Sequence, residues 1–193
     1  MPVAGGTAYG ALITSADLRL GQRVLIHGAA GGVGHFAVQL AKAAGAYVFA
    51  TCGGYDSDFV RSLGADRVMD YREEDFVEVV NAETDGAGVD VVLDAAGGQA
   101  AKSIGAAALN GQIVTVTGAQ GDLNPAMRKN VAVRFTHLED AAEKLAAMRV
   151  LFERGQLRSE VGATFPLEKL ADAHDLLERG GEAVRGKVVI EIT

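Results

Sequence analysis

The sequence predicts a doubly wound α/β fold, in which a parallel sheet carries helices on both faces. Three observations carry that prediction. Short runs rich in β-branched residues alternate with segments of helical periodicity. Several of those runs, such as Val24-Leu25-Ile26 and Val91-Val92-Leu93, are apolar throughout. The 25 glycines, against 3 prolines, are spread through apolar, periodic sequence. Strands covered on both faces read as continuous apolar runs. Alternating strands and helices imply crossover connections between parallel strands. Dispersed glycine suits tight strand-to-helix turns.

In chain order, a helix is expected over residues 7–16 and a strand over 23–27. The segment 32–44 reads as a helix, with Phe36-Ala37-Val38-Gln39-Leu40-Ala41-Lys42 forming its amphipathic body. Strands follow at 47–51 and 67–70, separated by a helix at 57–63. A helix at 75–81 precedes the strand at 90–94, and one at 99–109 precedes the strand at 112–117. The strand at 131–135 is a candidate sheet edge. Beyond Thr136 the pattern changes. Residues 140–154 read as a long helix with Ala142, Leu145, Ala146, Met148 and Phe152 on one face and a stop at Gly155. A strand at 160–165, a helix at 167–179 that starts after Phe165-Pro166, and a strand at 187–192 complete the chain. Three units are expected: 1–136 around the parallel sheet, 137–159 as a closing helix, and 160–193 as a strand-helix-strand segment.

Composition narrows the function classes. The chain has 193 residues, enough for one good core, with 49% hydrophobic and 22% charged residues. A net charge of −7 without a block of lysine and arginine argues against a nucleic-acid or anionic-membrane partner. Cys52 is the single cysteine, so no intrachain disulfide can form. Residues 1–7 lack the basic region and apolar core of a signal peptide, and no run approaches the ~20 apolar residues of a membrane span. The expected location is the cytoplasm.

The chemistry is concentrated in one turn. Strand 23–27 runs into Gly28-Ala29-Ala30-Gly31-Gly32-Val33-Gly34 and then directly into a helix. A helix that starts after a strand offers unpaired N–H groups and a positive dipole end, an anion site if no side chain blocks it. Gly31 stands where the backbone would approach a pyrophosphate, and Gly34 where the helix must lie close to the strand. Ala29 replaces the first glycine of the usual fingerprint, giving A-x-G-x-x-G. This is the pattern of a Rossmann-type dinucleotide-binding unit. A Walker-type phosphate loop is excluded, because Gly34-His35-Phe36 supplies no Lys-Ser/Thr pair. A Tyr-x-x-x-Lys proton-transfer pair is absent, since none of Tyr9, Tyr47, Tyr55 or Tyr71 has a lysine four residues on. The second strand ends in neutral Thr51-Cys52-Gly53-Gly54 instead of a ribose-binding acid, which favours NADPH over NADH. Asp56 and Asp58 lie nearby, so NADH is not excluded.

At this point the chain resembles the zinc-independent quinone oxidoreductases of the medium-chain dehydrogenase/reductase superfamily. The likeness rests on residues 21–34, on Leu63-Gly64-Ala65-Asp66 with Asp70-Tyr71-Arg72, on Val89-Asp90-Val91-Val92-Leu93-Asp94, and on Arg185-Gly186-Lys187-Val188-Val189-Ile190. Such enzymes use NADPH to reduce quinones, enones or related conjugated carbonyls, so a small-molecule electron acceptor is implied. The resemblance assigns Ala30, Gly31, Gly32, Val33 and Gly34 to the pyrophosphate turn, and Thr51 and Gly53 to the loop beside the adenosine ribose. It assigns Tyr71 to the 2′-phosphate and Gly118 to the strand end near the nicotinamide. The loop 54–58 offers no evident cation for that phosphate.

Val3 occupies the position where zinc-dependent relatives carry a cysteine ligand. His27, His35, His137 and His174 show no ligand spacing with one another or with Cys52, so no metal site is expected. No catalytic residue is assigned. Asp94, at a strand end, is either a loop brace or a ligand-facing acid. Members of the family begin with a catalytic domain of well over a hundred residues, whereas this chain starts at the helix that follows it. The resemblance therefore implies a cofactor-holding half that is not active alone. It also implies a homodimer through strand 131–135, or self-association through apolar residues of 160–193. The alternatives are a non-enzymatic NADP(H)-binding module and a fragment of a zinc-dependent alcohol dehydrogenase.

Overall fold

A computed structural model describes residues 2–136, 141–178 and 184–192. Its main sheet has six strands: β1 (Arg23–His27), β2 (Tyr47–Cys52), β3 (Arg67–Asp70), β4 (Val89–Asp94), β5 (Ala107–Thr115) and β6 (Ala132–Phe135). They lie in the order β3-β2-β1-β4-β5-β6, and each neighbouring pair is parallel. This is the Rossmann-like α/β fold. The winding reverses between β1 and β4, the switch point at which open α/β sheets leave a crevice beyond the strand ends.

Side chains alternate along each strand, and in the central strands β1, β2 and β4 both faces are buried. Val24, Ile26, Val48, Ala50, Val91 and Leu93 pack on one side, under α1 (Pro2–Tyr9) and α2 (Gly34–Ala43). Leu25, Phe49, Met69, Val92 and Ile113 pack on the other, under α4 (Phe76–Glu83), while the shorter α3 (Ser57–Ser62) and α6 (Ala126–Lys129) lie against β3 and β5. The apolar runs read from the sequence are therefore two-sided core strands.

Two helix boundaries differ from the sequence reading. The expected helix 99–109 is cut to α5 (Ala100–Ser103), and β5 begins at Ala107. Ala107 pairs with Val89, after which the register shifts before Gln112 pairs with Val91. Asn110, at φ 61°, takes up that shift in the left-handed region. An alanine-rich stretch favours helix locally, and the vacant place beside β4 overrides the preference. At the N-terminus the helix starts earlier than residue 7. α1 buries Ala4, Gly5, Gly6 and Ala8, and a π-helical turn, Gly10–Ser15, continues it. Glycine is unfavourable inside a helix, yet Gly5 and Gly6 are buried in α1, which lies against α2 and against α7 (Ala141–Glu153).

The helix expected at 140–154 appears as α7 (Ala141–Glu153), with Met148 fully buried and the Phe152 ring 6.5 Å from that of Phe36. Residue 140, His137 and residue 179 lie outside the described residues. After α7, Gln39 grips the chain with both ends of its amide. Its Nε2 donates to the Arg158 carbonyl (3.1 Å), and its Oε1 accepts from the Arg158 N–H (2.8 Å). β7 (Val161–Pro166), a 3-10 turn, α8 (Leu170–Glu178) and β8 (Lys187–Glu191) then form a separate two-stranded parallel sheet with its helix.

Candidate cofactor site

The glycine turn is built for close approach. Gly28 leaves β1 at φ +68°, a left-handed conformation. The tight turn is thus made one residue before Ala29. Ala29 is buried and donates its N–H to the Thr51 carbonyl (3.0 Å), so its methyl costs nothing there. A Cβ on Gly34 would lie 2.0 Å from the Gly28 carbonyl oxygen, whereas one on Gly31 would lie 3.2 Å from the same atom. Gly34 is therefore the packing glycine, and Gly31 keeps the mouth of the turn open.

α2 begins at this turn with no acidic residue in its first turn and no side-chain cap at Val33. The first N–H groups of a helix lack intrahelical partners, and its dipole is positive at that end. Nothing on α2 itself offsets that charge. Instead a cation lies over it: a Cβ on Gly32 would be 2.6 Å from Lys187 Nζ. Lys187 is fixed there because the preceding Gly186 donates its N–H to the Ala30 carbonyl (2.8 Å). A helix N-terminus with a lysine above it is a two-sided anion cradle. Lys187 was absent from the residues singled out in the sequence. Its motif, Arg185-Gly186-Lys187, was visible there only as family likeness, with no role attached.

A cavity of about 470 Å³ opens from this turn across the carboxyl ends of β1 and β2. Of the expected site residues, Ala30, Gly31, Thr51, Gly53 and Tyr71 line it. Gly32 lines a neighbouring hollow of about 360 Å³ with Lys187 and the α8 residues Leu176 and Leu177. Val33 and Gly34 stand behind the turn as helix start and packing contact. Gly118, at φ +102°, lies away from the cavity and accepts from Thr115 Oγ1 (3.1 Å).

The cavity floor is a buried polar chain. His27 Nδ1 pairs with Thr51 Oγ1 and His27 Nε2 with Ser103 Oγ, both at 3.0 Å. The Ser103 hydroxyl donates to the Gln99 carbonyl (2.8 Å). Ser103 Oγ then accepts from His27 Nε2–H, which leaves Nδ1 to accept from Thr51. Burial pushes the His27 pKa down to about 4, so its ring is neutral at physiological pH. The Thr51 hydroxyl is thus turned inward to the floor.

At the far end, the second strand leads to the neutral Cys52, Gly53 and Gly54. Burial raises the Cys52 thiol to about 11, so it stays protonated. Arg72, on the turn after β3, has its guanidinium 5.6 Å above the Tyr55 ring and 4.7 Å above the Tyr71 ring. A Cβ on Gly53 would lie 2.8 Å from its Nη1. Arg72 thus places a cation beside the loop 54–58, which has none of its own. Asp94 is a loop brace: its two oxygens accept from the N–H groups of Gly97 (2.7 Å) and Gln99 (2.8 Å).

A family model described as zinc-binding dehydrogenase matches residues 63–190. The chain belongs to that family. It is a cofactor-binding domain of the medium-chain dehydrogenase/reductase superfamily, with quinone oxidoreductases among its relatives. The quinone oxidoreductase of Pongo abelii is 34% identical over 195 residues, covering 95% of this chain and 59% of that protein. The solved quinone oxidoreductase of Coxiella burnetii is 34% identical, with a TM-score of 0.86, over 100% of this chain and 59% of the other. A solved NAD-dependent alcohol dehydrogenase is 30% identical, with a TM-score of 0.91, over 100% and 57% of the two chains. The chain thus spans about 59% of the length of the curated quinone oxidoreductase it matches. The family implies a nicotinamide cofactor. The turn fits one, since the glycines leave its mouth open and Lys187 faces the helix end. Among the described residues, no group of three or more His, Cys, Asp or Glu side chains converges as a metal ion would require. No helix in those residues is long and apolar enough to cross a membrane.

Proposed function

We propose that this chain is the NADP(H)-holding part of an oxidoreductase that delivers hydride to a quinone, an enone or a similar conjugated carbonyl. The observation that carries the cofactor reading is the cradle at Gly31–Gly34, where an uncapped helix end and Lys187 face one space from two sides. With its pyrophosphate held there, the cofactor's nicotinamide would supply the hydride. The residues of this chain bind and orient it. Gly31 would leave room for the pyrophosphate, Gly32 makes room for the Lys187 side chain, the first N–H groups of α2 would donate to the pyrophosphate, and Lys187 would neutralise part of its charge.

NADP(H) is preferred because the second strand ends without a free acid and Arg72 stands beside Gly53. The acceptor class comes from the quinone oxidoreductases among the relatives. The branch is read as zinc-independent on the strength of Val3, and the protein as cytoplasmic, with no nucleic-acid or membrane partner.

The test is calorimetric titration with NADPH and NADH, followed by quinone-dependent NADPH oxidation. Turnover is measured with and without the family's catalytic domain supplied as a second chain. NADPH binding in the micromolar range, with turnover only when the second chain is present, is the expected result. Binding of neither nucleotide would remove the reading.

A further inference from the structure

The loop beyond β2 does contain a carboxylate at roughly the right distance from the glycine turn to serve a ribose. NAD-binding units place such an acid about 20 residues after the fingerprint, and Asp56 lines the cavity 25 residues after Gly31. It is not available in that role here. Arg185, which leads into β8, places Nε 2.7 Å from Asp56 Oδ1 and donates from Nη2 to the Tyr55 carbonyl (3.0 Å). Its guanidinium lies 5.4 Å from the centre of the Phe59 ring. The Asp56 side chain keeps only 10% of its surface exposed, against 46% for Arg185. A buried carboxylate gripped by a half-exposed arginine is a neutralised one.

We propose that Arg185 is a specificity-determining residue for the cofactor: by pairing with Asp56 it withdraws the loop's buried acid and leaves Arg72 to meet a ribose 2′-phosphate. The inference rests on the NADP(H) reading above and extends it, because it brings a residue of the C-terminal strand-helix-strand segment into cofactor choice. The other charges of the neighbourhood support the assignment. Asp58 pairs with Arg61 at 2.8 Å and is wholly exposed. Asp70 turns one oxygen back to accept from the Arg72 N–H (3.0 Å), which holds the turn that carries Arg72. Asp56 is the acid whose freedom is governed from outside its own loop.

The geometry has a directional consequence. Without Arg185, the Asp56 charge stands uncompensated beside the binding space. It then repels a 2′-phosphate and is free to accept from the 2′-hydroxyl of NADH. The effect is coulombic at short range, so it weakens in high salt.

The experiment measures NADPH and NADH dissociation constants for the wild-type chain and three variants: Arg185→Ala, Arg185→Lys, and Arg185→Ala with Asp56→Asn. Thermal melting of each variant is measured alongside. Arg185→Ala is expected to weaken NADPH about tenfold while NADH stays level or tightens, with the difference shrinking at 0.5 M salt. Arg185→Lys keeps the charge and should keep the preference. Adding Asp56→Asn to Arg185→Ala should restore NADPH binding, which lost packing alone would not allow. An equal loss of both nucleotides in Arg185→Ala, or no recovery with Asp56→Asn, overturns the inference while leaving the NADP(H) reading intact. If the wild-type chain binds neither nucleotide, the underlying reading falls, and this inference with it.

Discussion

At the scale of single residues, the glycine turn divides into positions that serve the fold and positions that serve the ligand. A methyl on Gly34 meets the Gly28 carbonyl at 2.0 Å, a contact that only backbone movement can relieve. Gly34→Ala is therefore expected to destabilise the chain by about 3 kcal/mol or more, read as a lowered urea midpoint. Gly31 faces open space apart from one contact at 3.2 Å. Gly31→Asp should melt within a few degrees of wild type yet fail to bind either nucleotide in titration, since it sets a carboxylate where the pyrophosphate belongs. Lys187→Ala should weaken NADPH and NADH alike, by about tenfold or more, because a charge-assisted contact to the shared pyrophosphate is lost. A preference shift in Lys187→Ala would contradict that placement. These three outcomes separate packing, access and charge within a single turn.

At the scale of elements, the cavity floor joins β1, β2 and α5 through His27, Thr51 and Ser103. That link makes the junction sensitive to acid. In the folded chain the His27 pKa is about 4, against an ordinary value of 6.5, so the unfolded chain binds the extra proton first. Stability contributed by the neutral ring is full above pH 6.5 and is lost as pH falls toward 4, by roughly 3 kcal/mol in all. His35 is also lowered by burial, with Nδ1–H donating to the Gly31 carbonyl (2.9 Å), and adds a slope of the same sign. Urea midpoints taken between pH 7.5 and 4.5 should fall steeply for the wild type and less steeply for His27→Gln. Equal slopes would refute the assignment. These elements also show what a sequence can carry. The succession of β1 to β6 along the chain and the glycine turn were legible, because periodicity and turn chemistry are local, whereas Thr51, Gly53 and Tyr71, which line the cavity, were reached only through the family resemblance. The start of β5 at Ala107 was not legible, because alanine gives no local sign that an open sheet position will claim it. Arg72 and Lys187 were missed for a related reason. One stacks over rings from two loops, and the other reaches Gly32 from 155 residues away in sequence.

At the scale of the whole molecule, two of the exposed surfaces bear on self-association. β6 is one of the two outer strands of the six-stranded sheet, with Phe135 66% exposed at its end. The β7–β8 pair and α8 expose Val161, Leu170 and Leu177. An open strand edge invites pairing with a copy of itself, and a two-fold axis closes such a contact after one partner. The expectation is a dimer joined through residues 131–135, with the apolar face of α8 left outside the contact. Sedimentation velocity at about 100 µM separates the two surfaces. Phe135→Lys places like charges opposite each other across the axis and should shift the wild-type dimer to monomer. Leu177→Asp alters the other surface and should leave the dimer in place. A dimer that survives Phe135→Lys but dissociates with Leu177→Asp would move the contact to the C-terminal segment, beside Arg185 and Lys187. Nucleotide affinity would then depend on protein concentration, because the segment holding both cations would itself be part of the interface. A wild-type chain that sediments as monomer at this concentration would refute self-association through either surface.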